Sequence, residues 1–536
     1  MMQDIESRLW DAIVIGAGLG GGICARALAE AGLHVLMIEQ GPVGPRQAQN
    51  AMESPHDDPF ARALFGCWPT PVEARVNGTT TTGWGAQGVG PGGTSVFYAA
   101  ALERPEPHDM DQTADMPHPT GGWPVGYAAF APWFARAETI MALNGTPDPL
   151  SAVEGVPRPV LAAPRPLAAM DAALGQALQA RGLHPYRSHV AMRQLPGCLE
   201  CIGHKCPRDC KRDGRSAGVE PALATGRAVL LAEAVVTRLQ GAGRQVSHVT
   251  VRHKGQLHDL RARSFVLAAG GLGSPRILLA SANEAWPQGC ANSSGLVGRG
   301  LMFHLNERIA IWPPRRALAA VTDAPDSGPA KAFSLRDFYR DGTDRLGLFQ
   351  SLGLPASYGN ILHVLKQRYD LSPLAGFGPG KELMRLPALA AARLLGEARV
   401  FVGLLEDLPD DANHVRLDPA RPEHILYDYR MSAELLARRQ RYRRRIKRGL
   451  GGIRSLFLTL GPELNIAHPC GTLRFAADPR RGVLDAEGRA HDLDNLWGAD
   501  AAFMPTSTGV NPGLTIVANA LRVADRMVAR LKEGAA

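Results

Sequence analysis

The chain has 536 residues, 45% of them hydrophobic and 21% charged, which is too long for one ordinary domain and too apolar for a disordered one. No uncharged apolar run is long enough to cross a membrane as a helix, and no secretory signal precedes the first strand, so a cytoplasmic protein is expected, or one exported with a partner subunit. The net charge of +8 gathers partly between Arg438 and Arg448, without the aromatic interleaving or reading motif that nucleic-acid binding needs.

In chain order, Asp11 to Ile15 is a short apolar run suited to a buried parallel strand. A glycine-rich turn follows, then an alanine-rich helix from Ile23 to Ala31, ended by Gly32. His34 to Ile38 is a second strand, with Glu39 at its end. Gly16, Gly18 and Gly21 are spaced as in a dinucleotide-binding turn. Gly16 permits the tight turn, Gly18 lets the backbone approach a pyrophosphate, and Gly21 lets the helix pack close on the strand. The helix N-terminus offers unpaired N–H groups to the phosphates, and Glu39 can accept hydrogen bonds from a ribose diol.

A second glycine-rich turn, from Gly90 to Tyr98, carries Gly93, Thr94 and Ser95. Val235 lies on a strand expected from Ala228 to Val236. Ser264 to Leu279 reads as strand, turn and helix, the helix started by Ser274-Pro275. His304 closes a glycine-rich stretch and reads as a buried, hydrogen-bonded histidine in preference to a second catalytic group. Leu383 to Val400 is expected as an apolar, arginine-punctuated surface helix. Asn413 to Asp418 and His424 to Tyr429 alternate like strands, and Ser432 to Leu456 reads as a long basic helix. The C-terminal part holds His468-Pro-Cys-Gly-Thr472, Asp500-Ala501, and Asn511-Pro512-Gly-Leu-Thr515-Ile516.

Taken in order, these blocks resemble the glucose–methanol–choline (GMC) family of FAD oxidoreductases, from about Asp11 to Leu531 with a poorly matching middle. Phe475 departs from the pattern, standing where many members have Met. The resemblance implies FAD and a hydride taken from a CH–OH carbon. It also implies an α/β fold, with a discontinuous Rossmann-like FAD-binding domain and a substrate domain of mostly antiparallel sheet and covering helices. The FAD-binding parts are expected at 1–125, 196–310 and 462–536, and the substrate-domain parts at 126–195 and 311–461. Gly93, Thr94, Ser95, Val235, Asp500, Ala501, Asn511, Pro512 and Thr515 become cofactor-binding candidates, although Asp500 could instead cap a turn.

An alcohol gives up hydride readily only if a base takes the hydroxyl proton, and histidine titrates in the right range. By the resemblance His468 is the base and Asn511 its partner on the alcohol oxygen. The helix that Asn511-Pro512 begins would stabilise reduced flavin through its positive end.

Of eight cysteines, Cys198, Cys201, Cys206 and Cys210 share one loop. Their spacing suits an iron–sulfur cluster better than the separated knuckles of structural zinc; free or disulfide-linked thiols are the third reading. Some GMC sugar dehydrogenases carry a three-iron cluster in this region, which the resemblance would place on Cys201, Cys206 and Cys210. The leading expectation is an FAD-dependent alcohol or sugar dehydrogenase passing electrons to an acceptor protein. The alternatives are an O2-using oxidase without a cluster and a non-catalytic FAD-binding scaffold. Substrate determinants are expected in Ser334–Leu374 and Val400–Glu406.

Overall fold

The computed structural model describes residues 2–46, 58–151, 153–198, 200–319, 328–354, 356–370 and 377–533; the end of the Ser334–Leu374 stretch lies outside them. Strand Leu9–Ile15 is flanked in parallel by Val35–Ile38 and Gln256–Leu267. Ala228–Leu231 pairs outside Val35–Ile38, and Leu496–Gly498 pairs with Gln256–Leu267, both in parallel. Helix Leu19–Glu30 makes the first crossover. Ile13, Val14, Val35 and Leu36 are wholly buried, because this sheet is covered on both faces and its strands must be apolar throughout. The first half of Gln256–Leu267 continues into an antiparallel meander with Gln245–His253 and Ala234–Ala242.

A second, antiparallel sheet has the order Ser455–Phe457, Met302–Ile311, Arg399–Leu405, Phe349–Ser351, Phe333–Leu335, Tyr186–Arg187, with Leu464–Cys470 also on Met302–Ile311. Side chains alternate across it. Leu305, Ile309, Phe349, Phe401 and Leu405 pack on one face against Tyr442 and Ile446 of helix Ala433–Gly449. The other face points to the first sheet. Ser432 caps that helix by accepting from the Leu435 N–H. Its basic run is largely spent inside the protein. Arg439 and Arg443 both pair with buried Glu307, and Arg438 donates to the Arg345 and Glu406 carbonyls.

The structure redraws several expected boundaries. Met302–Ile311 and Leu464–Cys470, grouped by sequence with the FAD-binding parts, are strands of the antiparallel sheet, because they pair with each other. Helix Tyr127–Ile140, grouped with the substrate domain, buries Phe130 and Phe134 in the core shared with the parallel sheet. His414–Arg416 and Leu426–Tyr429 are strands, but of a separate four-stranded sheet with Val72–Val76 and Thr79–Gly83. The apolar helix spans Arg385–Leu395, and Arg399–Leu405 is already strand. The basic helix stops at Gly449, before Gly451 and Gly452. Among the described residues no helix is long and apolar enough to cross a membrane.

Candidate active site

A cavity of about 490 Å³ opens at the carboxyl ends of the parallel strands and is closed on the far side by the antiparallel sheet. Ligands of open parallel sheets bind at this edge, because crossovers leave a crevice and a helix N-terminus there.

The three fingerprint glycines do three different jobs. Gly16 has φ +100°, and a Cβ on it would lie 2.5 Å from the Ala268 carbonyl oxygen. A Cβ on Gly21 would lie 2.0 Å from the Gly16 oxygen, so only glycine lets helix and strand meet. Gly18 has φ −72° and open space before it, with nothing nearer than 4.0 Å to a built Cβ. Gly93, at φ +51°, packs directly against it; a Cβ on Gly93 would lie 3.1 Å from the Gly18 Cα. No side chain caps helix Leu19–Glu30, so its N-terminal N–H groups are left for a ligand. This glycine-lined cradle fits a pyrophosphate.

Most of the other expected cofactor residues line the cavity: Glu39, Gly93, Thr94, Ser95, Val235, Asp500, Ala501, Asn511 and Pro512. Several are also tied into the fold. The Glu39 carboxylate accepts from the Ala17, Gly41 and Gly90 N–H groups, fastening both glycine turns to the second strand. Thr94 Oγ1 accepts from Gly88 N–H, while Ser95 Oγ donates to the Gly92 carbonyl and accepts from Gly214 N–H. Asp500 accepts from Gly270 N–H, Ser274 Oγ and Ala502 N–H, capping the turn Ala501–Phe503. Burial pushes its carboxyl upward, against those hydrogen bonds. Asn511 Nδ2 and Thr515 Oγ1 are buried without a partner, at the start of helix Gly513–Glu533. Such orphaned groups are what a site retains for a ligand.

His468 lies on strand Leu464–Cys470 and reaches the cavity. Its Nδ1 is 3.2 Å from His304 Nδ1 and 3.2 Å from the Asn465 amide. His304 Nε2 is 2.9 Å from the Thr508 carbonyl oxygen. Burial holds His304 down to about 4, against the pull of the Thr508 and Val510 carbonyls. Burial first, then His304 and Lys331, hold His468 well below the ordinary histidine value. This His304 contact escaped the sequence analysis, as did Asn306 and Lys331 on the cavity wall, whereas Gln350 falls within the expected Ser334–Leu374 stretch. The available signal was the polar alternation of His304, Asn306 and Arg308 along one strand.

The cysteine loop packs behind the Gly93–Tyr98 turn. Buried Lys211 donates to the Val96, Tyr98, Cys201 and His204 carbonyls, locking loop and cavity wall together. The four thiols are neighbours: Cys201 lies beside Cys206 and Cys198, and Cys210 beside Cys198 and Cys206. Cys206 sulfur is held down to about 5 by the Cys201 thiol and, against burial, by the Lys211, Arg208 and Cys210 N–H groups. Among the described residues no three Cys, His, Asp or Glu side chains converge as a metal site, so the expected four-thiolate set is not assembled.

A parallel nucleotide-binding sheet, an antiparallel sheet facing it and a histidine between them define a two-lobed, cofactor-dependent oxidoreductase. The GMC oxidoreductase N-terminal family profile matches residues 11–306 and the C-terminal one residues 409–520. The chain therefore belongs to the GMC oxidoreductases. It is 30% identical to 6'''-hydroxyparomomycin C oxidase of Streptomyces lividus, over 98% of this chain and 92% of that one. It is 28% identical to the fructose dehydrogenase large subunit of Gluconobacter japonicus, over 98% of each chain. A variant of Aspergillus oryzae formate oxidase shares the fold, with TM-score 0.67 at 14% identity, over 98% of this chain and 99% of that one.

Proposed function

We propose that the protein oxidises a CH–OH group of an alcohol or sugar to a carbonyl, with His468 as base and Asn511 as the group that fixes the alcohol oxygen. The observation that carries this reading is one cavity holding an open glycine cradle, a buried neutral histidine and an unpartnered amide. FAD, which the Gly18 and Gly93 turns would hold, would supply the acceptor for the hydride leaving the carbinol carbon. The chain's own part is to move the hydroxyl proton. Thr508's carbonyl can only accept, so His304 Nε2 carries a hydrogen and the Nδ1 of that neutral ring is bare. The hydrogen between the two histidines then belongs to His468 Nδ1, leaving His468 Nε2 as the basic atom. An Asn465 NH2 aimed at His468 Nδ1 would call for the other tautomer. The His304 contact decides, because a carbonyl cannot donate, whereas turning the Asn465 amide gives up only its long, 3.3 Å bond from the Ala467 N–H. The Asn511 amide can donate to the alcohol oxygen as its charge grows.

The test is anaerobic addition of alcohols and sugars to purified yellow protein. Bleaching of the flavin is expected; a flavin that no CH–OH donor bleaches would leave a non-catalytic scaffold. Oxygen uptake against dye reduction then separates oxidase from dehydrogenase, and the two named relatives include one of each.

Because His468 is held below its ordinary value of about 6.5, its base form persists into acid. The acid limb of kcat/KM is expected below pH 6.5, and a limb above 7 would mean another base. His304 gives a matching stability effect. Its folded-state value is depressed, so stability present above about pH 6.5 is lost as pH falls toward 4. A urea midpoint that falls over this window is the corresponding measurement.

The iron–sulfur relay to an acceptor protein is a separate proposal. The loop's cysteine content, the N–H groups on Cys206 and its lock to the cavity wall favour it. Among the described residues no three such side chains converge as a metal site, so no step is routed through a cluster. Anaerobically purified protein with iron and acid-labile sulfide in near-equal amounts is the expected result for a cluster. Zinc without sulfide would make the loop a structural clip, and no metal at all would leave thiols.

A further inference from the structure

The His304 ring that touches His468 is itself held from behind. Strand Met302–Ile311 breaks register against Leu464–Cys470 between Met302 and His304. At this break the Phe303 N–H donates to Asp407 Oδ2 at 3.0 Å. The same oxygen accepts from the Tyr429 hydroxyl at 2.7 Å, and Oδ1 accepts from the Leu408 N–H at 2.9 Å. Asp407 is also joined to the turn on the other side of His304. Its N–H donates to Ser507 Oγ at 2.8 Å, and its carbonyl accepts from the Ser507 N–H at 3.3 Å. The Ser507 hydroxyl hydrogen is thereby left for the Thr508 carbonyl, 3.3 Å away. That carbonyl is the one that meets His304 Nε2, and the Val510 carbonyl of the same turn also faces the ring. Asp407 thus grips both the residue before His304 and the residue before Thr508. Thr508 has φ +60° and is fully buried. A β-branched residue in the left-handed region is strained, and such strain persists only where the surroundings impose it. Relaxation to a negative φ would swing the carbonyl off the ring.

We propose that Asp407 and Ser507 are positioning residues of the oxidation: they hold the strained Thr508 carbonyl on His304 Nε2 and so keep the hydrogen between the two rings on His468 Nδ1. This rests on the reading of His468 as base. Without the clamp, the neutral His304 ring is free to carry its hydrogen on Nδ1. The His468 hydrogen then moves to Nε2 and occupies the basic atom. Neither Asp407 nor Ser507 lines the cavity, so their removal acts on the base and not on the substrate's contacts.

The experiment compares the FAD-loaded wild type with Ser507→Ala and Asp407→Asn at about pH 8, above the value of about 6 to which burial raises the Asp407 carboxyl. Nitrogen-15 spectra of histidine-labelled protein tell a ring nitrogen that carries hydrogen from a bare one, and His304→Gln and His468→Gln assign the two rings. In the wild type the hydrogens are expected on His304 Nε2 and His468 Nδ1. Each variant should shift both rings toward the opposite tautomer and retain its flavin. Anaerobic bleaching at saturating alcohol should slow about 10-fold, with the half-saturating concentration unchanged. If Ser507→Ala does not fold, Asp407→Asn gives the reading, because asparagine keeps the volume and one accepting oxygen. Hydrogen on His304 Nδ1 in the wild type would overturn the proposal. So would variants that slow only through KM. Unchanged tautomers in both variants, with His468→Ala still slow, would sink the clamp and leave the base reading intact. Shifted tautomers with bleaching at the wild-type rate would leave the contact standing and remove the base reading, and with it the clamp's part in the oxidation.

Discussion

Gly18→Val protein is expected to fold and to purify without FAD. The two halves of this result have separate causes. Gly18 has an ordinary negative φ, so a valine there strains no backbone. A Cβ at this position meets nothing within 4.0 Å, so it does not disturb the packing either. The added side chain occupies the open space beside Gly18 on the cavity wall, where the pyrophosphate must approach the backbone. Far-UV circular dichroism should match the wild type while the flavin absorbance is lost. A stably yellow Gly18→Val protein would show that the cradle lies elsewhere. Gly21→Val is the contrasting variant. Its Cβ would lie 2.0 Å from the Gly16 oxygen, so it should fail to fold, losing FAD for a different reason.

His468→Ala is expected to keep its flavin and lose turnover by about 10²–10⁴-fold, the usual worth of a positioned base. His468 lies on a strand of the antiparallel sheet, away from the glycine cradle, so its removal leaves the nucleotide end intact. The rate of anaerobic flavin bleaching measures the loss directly, without involving the electron acceptor. Asn511→Ala should also slow bleaching, because it removes the amide that would hold the alcohol oxygen. If His468→Ala bleached at the wild-type rate across pH, the base would have to be another group. His304 would be the first to examine, since the two rings touch edge to face with centroids 5.1 Å apart.

The nucleotide end of this protein was legible because its parts are close in sequence. Strand, three glycines, helix, strand and Glu39 all fall within the first forty residues. Local sterics alone require glycine at Gly16 and Gly21, and the fully buried strands announce themselves as unbroken apolar runs. The family blocks added His468 and Asn511, which share one cavity in the structure.

What the sequence could not give is whatever depends on pairing between distant strands. His304 and His468 are 164 residues apart and meet only because their strands are neighbours. That contact, with the Thr508 carbonyl behind it, selects the tautomer that leaves His468 Nε2 bare, as the proposed base requires. Asn306 and Gln350 carry no motif. Each reads alone as an ordinary polar residue on a strand, and only the register of three antiparallel strands puts both on the cavity face. The basic run gave the opposite lesson. Arg438, Arg439 and Arg443 look like a solvated surface until tertiary packing turns them inward onto Glu307 and backbone carbonyls. The sequence by itself determined the nucleotide cradle, because short-range sterics enforce it. The far wall of the cavity was decided by sheet register, which is set by the burial of the opposite face.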